Sequence, residues 1–93
     1  MITIYKYALD LTNRQEIRIK NGANILDAQI QDNGLFIWAE VNSEHLDIVR
    51  HIRIFGTGHP IKDLESLIYI ATFQIPNKKL VFHVYLENKR RLI

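Results

Sequence analysis

Arg53, Thr57 and His59 crowd into the stretch Arg53-Ile54-Phe55-Gly56-Thr57-Gly58-His59-Pro60-Ile61, the densest run of recognition-type side chains in the chain. An arginine makes charge-assisted, often bidentate contacts to phosphate. A glycine-rich turn can gather backbone N–H groups into a concavity that accepts an anion. Gly56 and Gly58 are free to take positive φ, Pro60 fixes its own φ, and His59 before it is pushed out of the helical region, so the loop should be rigid. It is neither a dinucleotide fingerprint, lacking the third glycine and the helix, nor a P-loop, lacking Gly-Lys-Ser/Thr. The plain alternative is a bulged turn between two strands, with His59 bonding locally.

A second group comes from strand alternation. Trp38 with Glu40, His51 with Arg53, Thr72 with Gln74, and His83 with Tyr85 each fall opposite the apolar stripe of their strand. If the four strands share one surface, rings that stack a base stand beside an arginine for phosphate and polar groups that read ring edges. The same mixture of Trp, Tyr and Arg suits a protein interface. A second small core under Phe36 and Trp38 is the other way to read it. The expected ligand-binding set is therefore Arg53, Phe55, Gly56, Thr57, Gly58, His59, Trp38, His83 and Tyr85.

Catalysis has little to build on. His59, His83 and Glu40 can be drawn as an acid–base set, but no Ser or Cys nucleophile stands in a recognisable context and Thr57 has no evident base. His45, His51, His59 and His83 lack metal-ligand spacing, and there is no cysteine. No enzymatic activity, metal or cofactor is expected.

The elements that must hold these residues are strands. Ninety-three residues at 47% hydrophobic content make one domain, 1–93, with enough apolar surface for one core. The absence of cysteine fits a reducing cytoplasm. The first 25 residues alternate apolar with polar and resemble neither a signal peptide nor a membrane span. Twelve basic against ten acidic residues do not make the field that general nucleic-acid binding needs. Period-two alternation marks strands over 2–9, 15–20, 25–31, 35–41, 48–55, 67–75 and 80–87. Gln15 to Lys20 has one charged face and suits a sheet edge. Leu26, Ala28 and Ile30 are expected inward in the third strand, and Tyr69, Ala71, Phe73 and Ile75 share one side of the sixth. Asn33-Gly34 predicts a type I′ hairpin turn between strands three and four. Lys62 to Leu67 is the only helical composition, one or two turns at most. The basic tail 88–93 should fray. The expectation is an all-β fold, a small antiparallel β-barrel or sandwich of about seven strands with little helix.

Ile4-Tyr5-Lys6-Tyr7, Trp38-Ala39-Glu40-Val41, Phe55-Gly56-Thr57-Gly58-His59-Pro60-Ile61, Tyr69-Ile70-Ala71-Thr72-Phe73-Gln74 and Val81-Phe82-His83-Val84-Tyr85 together resemble a family of small proteins encoded by bacteriophages and prophages. The resemblance runs nearly end to end and carries no established activity. It implies a phage setting in a host cytoplasm. By analogy, short phage proteins of this kind counter host immunity by withholding a nucleotide-type signal or by binding a host defence protein directly, as anti-CRISPR proteins do. Apolar residues on both faces of several strands further predict a homo-oligomer.

Overall fold

The computed structural model describes residues 1–88. Most of the tail expected to fray thus lies outside the described residues, and Asn88 donates its N–H to Ser66 O at 2.8 Å. Seven strands follow in order: β1 Ile2–Leu9, β2 Arg14–Lys20, β3 Asn24–Gln31, β4 Gly34–Asn42, β5 Asp47–Gly56, β6 Leu67–Gln74 and β7 Val81–Glu87. A single 3₁₀ turn, Leu64–Ser66, stands where the helical composition fell. The strands form two antiparallel sheets, β1-β4-β3 and β2-β5-β7-β6, so the fold is a sandwich and not a closed barrel.

The core lies between the sheets because alternation sends one side of each strand inward. Leu35, Ile37, Ala39 and Val41 of β4 meet Ile17, Ile19, Ile48, Ile52, Ile54, Val84 and Leu86 of the second sheet, all buried. β2 ends its sheet and turns Arg14, Glu16, Arg18 and Lys20 to solvent, as its charges require. Because β7 lies between β5 and β6, the chain leaving β5 must cross the end of β7, and the glycine loop begins this crossing.

Two bulges correct the expected faces. The β3–β4 register shifts between Ile25 and Asp27, so Ile25 takes the inward place opposite Ala39 and Leu26 is exposed. The β6–β7 register shifts between Tyr69 and Ala71, which turns Tyr69 away from Ala71 and onto the face of Tyr85.

The hairpin turn is also displaced. Positive φ belongs to Asp32 (51°) and Asn33 (66°), and Gln31 pairs with Gly34. The type I′ positions are therefore Asp32-Asn33, and Gly34 opens β4 in ordinary extended backbone. Asn33→Val is expected to cost about 1–2 kcal/mol, since a β-branched residue tolerates positive φ poorly. Asn33→Gly should stabilise by roughly 0.5 kcal/mol. Gly34→Ala should cost less than Asn33→Val, because its new Cβ meets only the rim of the Phe36 ring, at 2.8 Å and on a partly exposed face. Urea denaturation of the three variants checks the order.

Candidate functional site

The outer face of the four-stranded sheet holds most of the expected site. From β5 and β7 the outward positions are His51, Arg53, Phe55, Val81, His83, Tyr85 and Glu87, and the pairing sets Arg53 beside Tyr85 and Phe55 beside His83. The Tyr85 ring stands between Phe55 (5.7 Å) and Tyr69 (5.5 Å), each edge to face, so three strands contribute one aromatic row. Arg53 stacks on Phe55 at 5.1 Å.

Next to that row runs a hydrogen-bonded strip. Thr57 Oγ1 lies 2.9 Å from His83 Nε2, Thr72 Oγ1 lies 3.0 Å from His83 Nδ1, and the Tyr69 hydroxyl lies 2.7 Å from Thr72 Oγ1. A hydroxyl on an imidazole is the start of a nucleophile–base pair. Here the group behind the imidazole is another hydroxyl, and Thr57 Oγ1 also reaches Val81 O at 3.3 Å. The strip fixes His83 in orientation, and no carboxylate stands behind it to stabilise an imidazolium. The drawn acid–base set does not assemble, because Glu40 projects from the opposite sheet.

Trp38 is the main correction. It alternates with the buried Ile37 and Ala39 of β4, so it points outward from the three-stranded sheet, on the far side of the molecule from Arg53, His83 and Tyr85. There it packs on Phe36 at 6.3 Å, with the Lys6 ammonium 5.9 Å from its ring. One shared surface over four strands is therefore not formed; the site is built from β5, β6, β7 and the loop.

Within the loop, Gly58 has φ +87° and His59 N donates to Gly56 O at 3.1 Å, a tight turn that needs glycine at its third position. Gly56 does not have positive φ. It is required for close approach: a Cβ there would lie 2.9 Å from His59 Cε1. The Gly56 N–H donates to His59 Nδ1 at 3.3 Å and Thr57 N–H to Val81 O at 3.2 Å. Three of the backbone donors expected to cradle an anion are thus already engaged.

Arg53 is engaged too. Its Nη1 donates to Asp63 Oδ2 at 2.9 Å and lies 3.7 Å from Glu87 Oε2. Arg14, directly across from Arg53 in the β2–β5 register, donates to both Glu87 oxygens at 2.6 and 3.1 Å. The Arg14 guanidinium holds the Glu87 carboxyl below the usual range, and Arg53 does the same for Asp63. His51, buried on this face, has Glu16 Oε1 3.8 Å from its Nε2. Arg14, Asp63, Tyr69 and Glu87 were absent from the expected set. Glu87 shares the parity of His83 and Tyr85 and was visible in the pleat. Tyr69 was hidden by its bulge, and Asp63 by the loop.

Three of the concavities that adjoin the loop are shallow and of similar size. One of about 220 Å³ is lined by Arg14, Arg53, Asp63, Ser66 and Glu87. The next, about 250 Å³, shares Arg53 and adds Phe55, Asn13, His59 and Pro60. The third, about 240 Å³, lies beyond His59 among Gly56, Thr57, Lys79, Leu80, Val81 and Phe82. Among the described residues no group of three or more His, Asp or Glu could hold a metal ion, and no helix is long and apolar enough to cross a membrane.

Fold and face together define a two-sheet antiparallel β-sandwich with a polar, aromatic outer surface. The chain belongs to the family described as "Domain of unknown function (DUF7352)", which matches residues 1–92. No curated protein and no solved structure matches it.

Proposed function

We propose that this is a non-enzymatic protein that binds and withholds a nucleotide-type immune signal, acting as a phage counter-defence protein in the host cytoplasm. The setting comes from the resemblance to small phage and prophage proteins. The binding reading rests on one observation: three concavities adjoin in a row, the first and second sharing Arg53 and the second and third sharing His59, with Phe55 lining the middle one.

Charge decides which part of the ligand goes where. The Arg14–Arg53 concavity contains two carboxylates, so its arginines are largely neutralised and its oxygens suit hydroxyl or amino groups of a sugar or base. The third concavity is lined by Lys79 and His59 and by no carboxylate. Because His59 Nδ1 accepts the Gly56 N–H, the ring proton of the neutral imidazole is assigned to Nε2, which is then a donor. This supports phosphate beside Lys79 and His59, with Thr57 and Gly56 in the same wall. Arg53 and Phe55 hold the base end.

The test is to incubate the protein with extract from infected host cells, wash it, release its cargo by heat and identify that cargo by mass spectrometry. Unmodified nucleotide is the expected result, and a converted product would make the protein an enzyme. Lys79→Ala and Phe55→Ala should each weaken binding of the recovered nucleotide about tenfold, equivalent to roughly 1.4 kcal/mol. Trp38→Ala, on the far side, should leave the affinity unchanged.

A second reading has its own support. Each concavity is smaller than the roughly 300 Å³ at which small-molecule pockets begin, and the Phe55–Tyr85–Tyr69 row lies on the outer face of the sheet, with Tyr69 56% exposed. Such a surface fits a direct inhibitor of a host defence protein. Recovery of no nucleotide would favour it.

A further inference from the structure

Four strands end the two sheets, and a terminal strand can present unpaired backbone groups to another chain; β3 and β6 lie beside each other, which covers part of both edges. Three of them carry protection. β2 turns four charged side chains outward, Arg14, Glu16, Arg18 and Lys20. β3 is broken by the bulge at Leu26 and β6 by the bulge at Ile70. β1 has neither device. Its eight residues pair with β4 without a register shift, and Lys6 is its only charge. Ile2, Ile4 and Tyr5 are 65%, 55% and 37% exposed. Its start is held in line as well, since Ser43 N–H donates to Met1 O at 2.9 Å. The result is an eight-residue, bulge-free and largely apolar edge whose hydrogen-bonded neighbour among the described residues is β4 alone.

We propose that β1 is a dimerisation edge: two copies pair their β1 strands antiparallel about a two-fold axis at Tyr5, joining two three-stranded sheets into one of six strands. A second copy is the occupant because this strand complements itself in that register. Residues opposite one another in an antiparallel pair share a face, so a two-fold pairs only positions of equal parity. Centring on Tyr5 sets Ile2 across from Ala8, Thr3 across from Tyr7, Ile4 across from Lys6 and Tyr5 across from itself. No like charges meet. Centring on Lys6 would oppose two ammonium groups, and centring on Ile4 would shorten the overlap.

Light scattering of the full chain should give about twice the 10.9 kDa subunit mass at micromolar concentration. Ile4→Lys sets an ammonium across from Lys6 of the second copy on both sides of the axis. It is expected to raise the dissociation constant about tenfold or more, with the circular dichroism unchanged because Ile4 lies outside the core. The double variant Ile4→Lys/Lys6→Glu opposes unlike charges and should restore the dimer. A wild-type mass that stays at 10.9 kDa would overturn the proposal. So would a dimer indifferent to Ile4→Lys, which places the interface elsewhere. So would a folded double variant that remains monomeric, since only pairing in this register predicts rescue.

Discussion

Ile37→Ala is expected to cost about 3–4 kcal/mol of folding stability, and Trp38→Ala, one residue along and removing far more atoms, about 1 kcal/mol. Ile37 is fully buried at the centre of β4, the only strand that joins β1 to β3. Its side chain meets the inner face of the other sheet, where Ile52 and Val84 are also fully buried. Truncation there removes transfer energy and leaves a cavity that two sheets pinned by their own ladders close only in part. Trp38 lies on the outer face, partly wet, against Phe36 and beneath the Lys6 ammonium, so its loss opens a surface dent that water fills. Thermal melts make the difference visible, at roughly 4–8 °C per kcal/mol for a domain of this size. If Trp38→Ala proves the more damaging, the two-sheet arrangement and the side on which Trp38 lies are both wrong.

How well the sequence foretold the fold varied from strand to strand. In β4 and β7 the pleat is unbroken, so Leu35, Ile37, Ala39 and Val41, and later Val84 and Leu86, could be assigned inward from alternation alone. β2 announced itself as an edge by its charges. Where an extra residue is inserted, parity changes and alternation misleads: Leu26 was expected inside and is exposed, and Tyr69 was expected beside Ala71 and faces Tyr85. The hairpin was recognised but placed one residue late. Asn-Gly is the commoner type I′ pair, yet here Asp32 and Asn33 take the positive φ and the preferred glycine falls just after them. Trp38 failed for a different reason. Alternation tells inward from outward and is silent about which of two sheets a strand joins, so four outward faces were read as one surface when they belong to two. The charges around Arg53 escaped notice because Asp63 comes from the crossing loop and Arg14 from the edge strand, contacts no local pattern encodes.

Glu87→Gln should destabilise the fold by about 2 kcal/mol at neutral pH and, more tellingly, remove a pH dependence that the wild type shows in acid. The β2–β5 register puts Arg14 directly across from Arg53 on one face, an arrangement of like charges that costs energy unless something stands between them. Glu87 supplies it, touching Arg14 at 2.6 Å and lying 3.7 Å from Arg53, with its side chain only 13% exposed. Breaking a fully buried pair costs roughly 3–5 kcal/mol; the figure here is lowered because Arg14 is half exposed and water screens its share. The sign of the pH effect follows from Glu87 being held below its ordinary value of 4.5, chiefly by the hydrogen bond from Arg14. A carboxyl with a depressed folded-state pKa contributes all of its stability above the unfolded value and loses it as pH falls through the folded one. Wild-type stability should therefore decline on acidification below about pH 4.5, the ordinary glutamate value, more steeply than that of Glu87→Gln, whose amide does not titrate. Asp63, depressed by Arg53 but exposed, adds little to this slope. Urea midpoints measured from neutral pH down to about pH 3, a window that spans the ordinary glutamate pKa, read the difference directly. Parallel curves for the two proteins would mean that Glu87 does not hold the two arginines together.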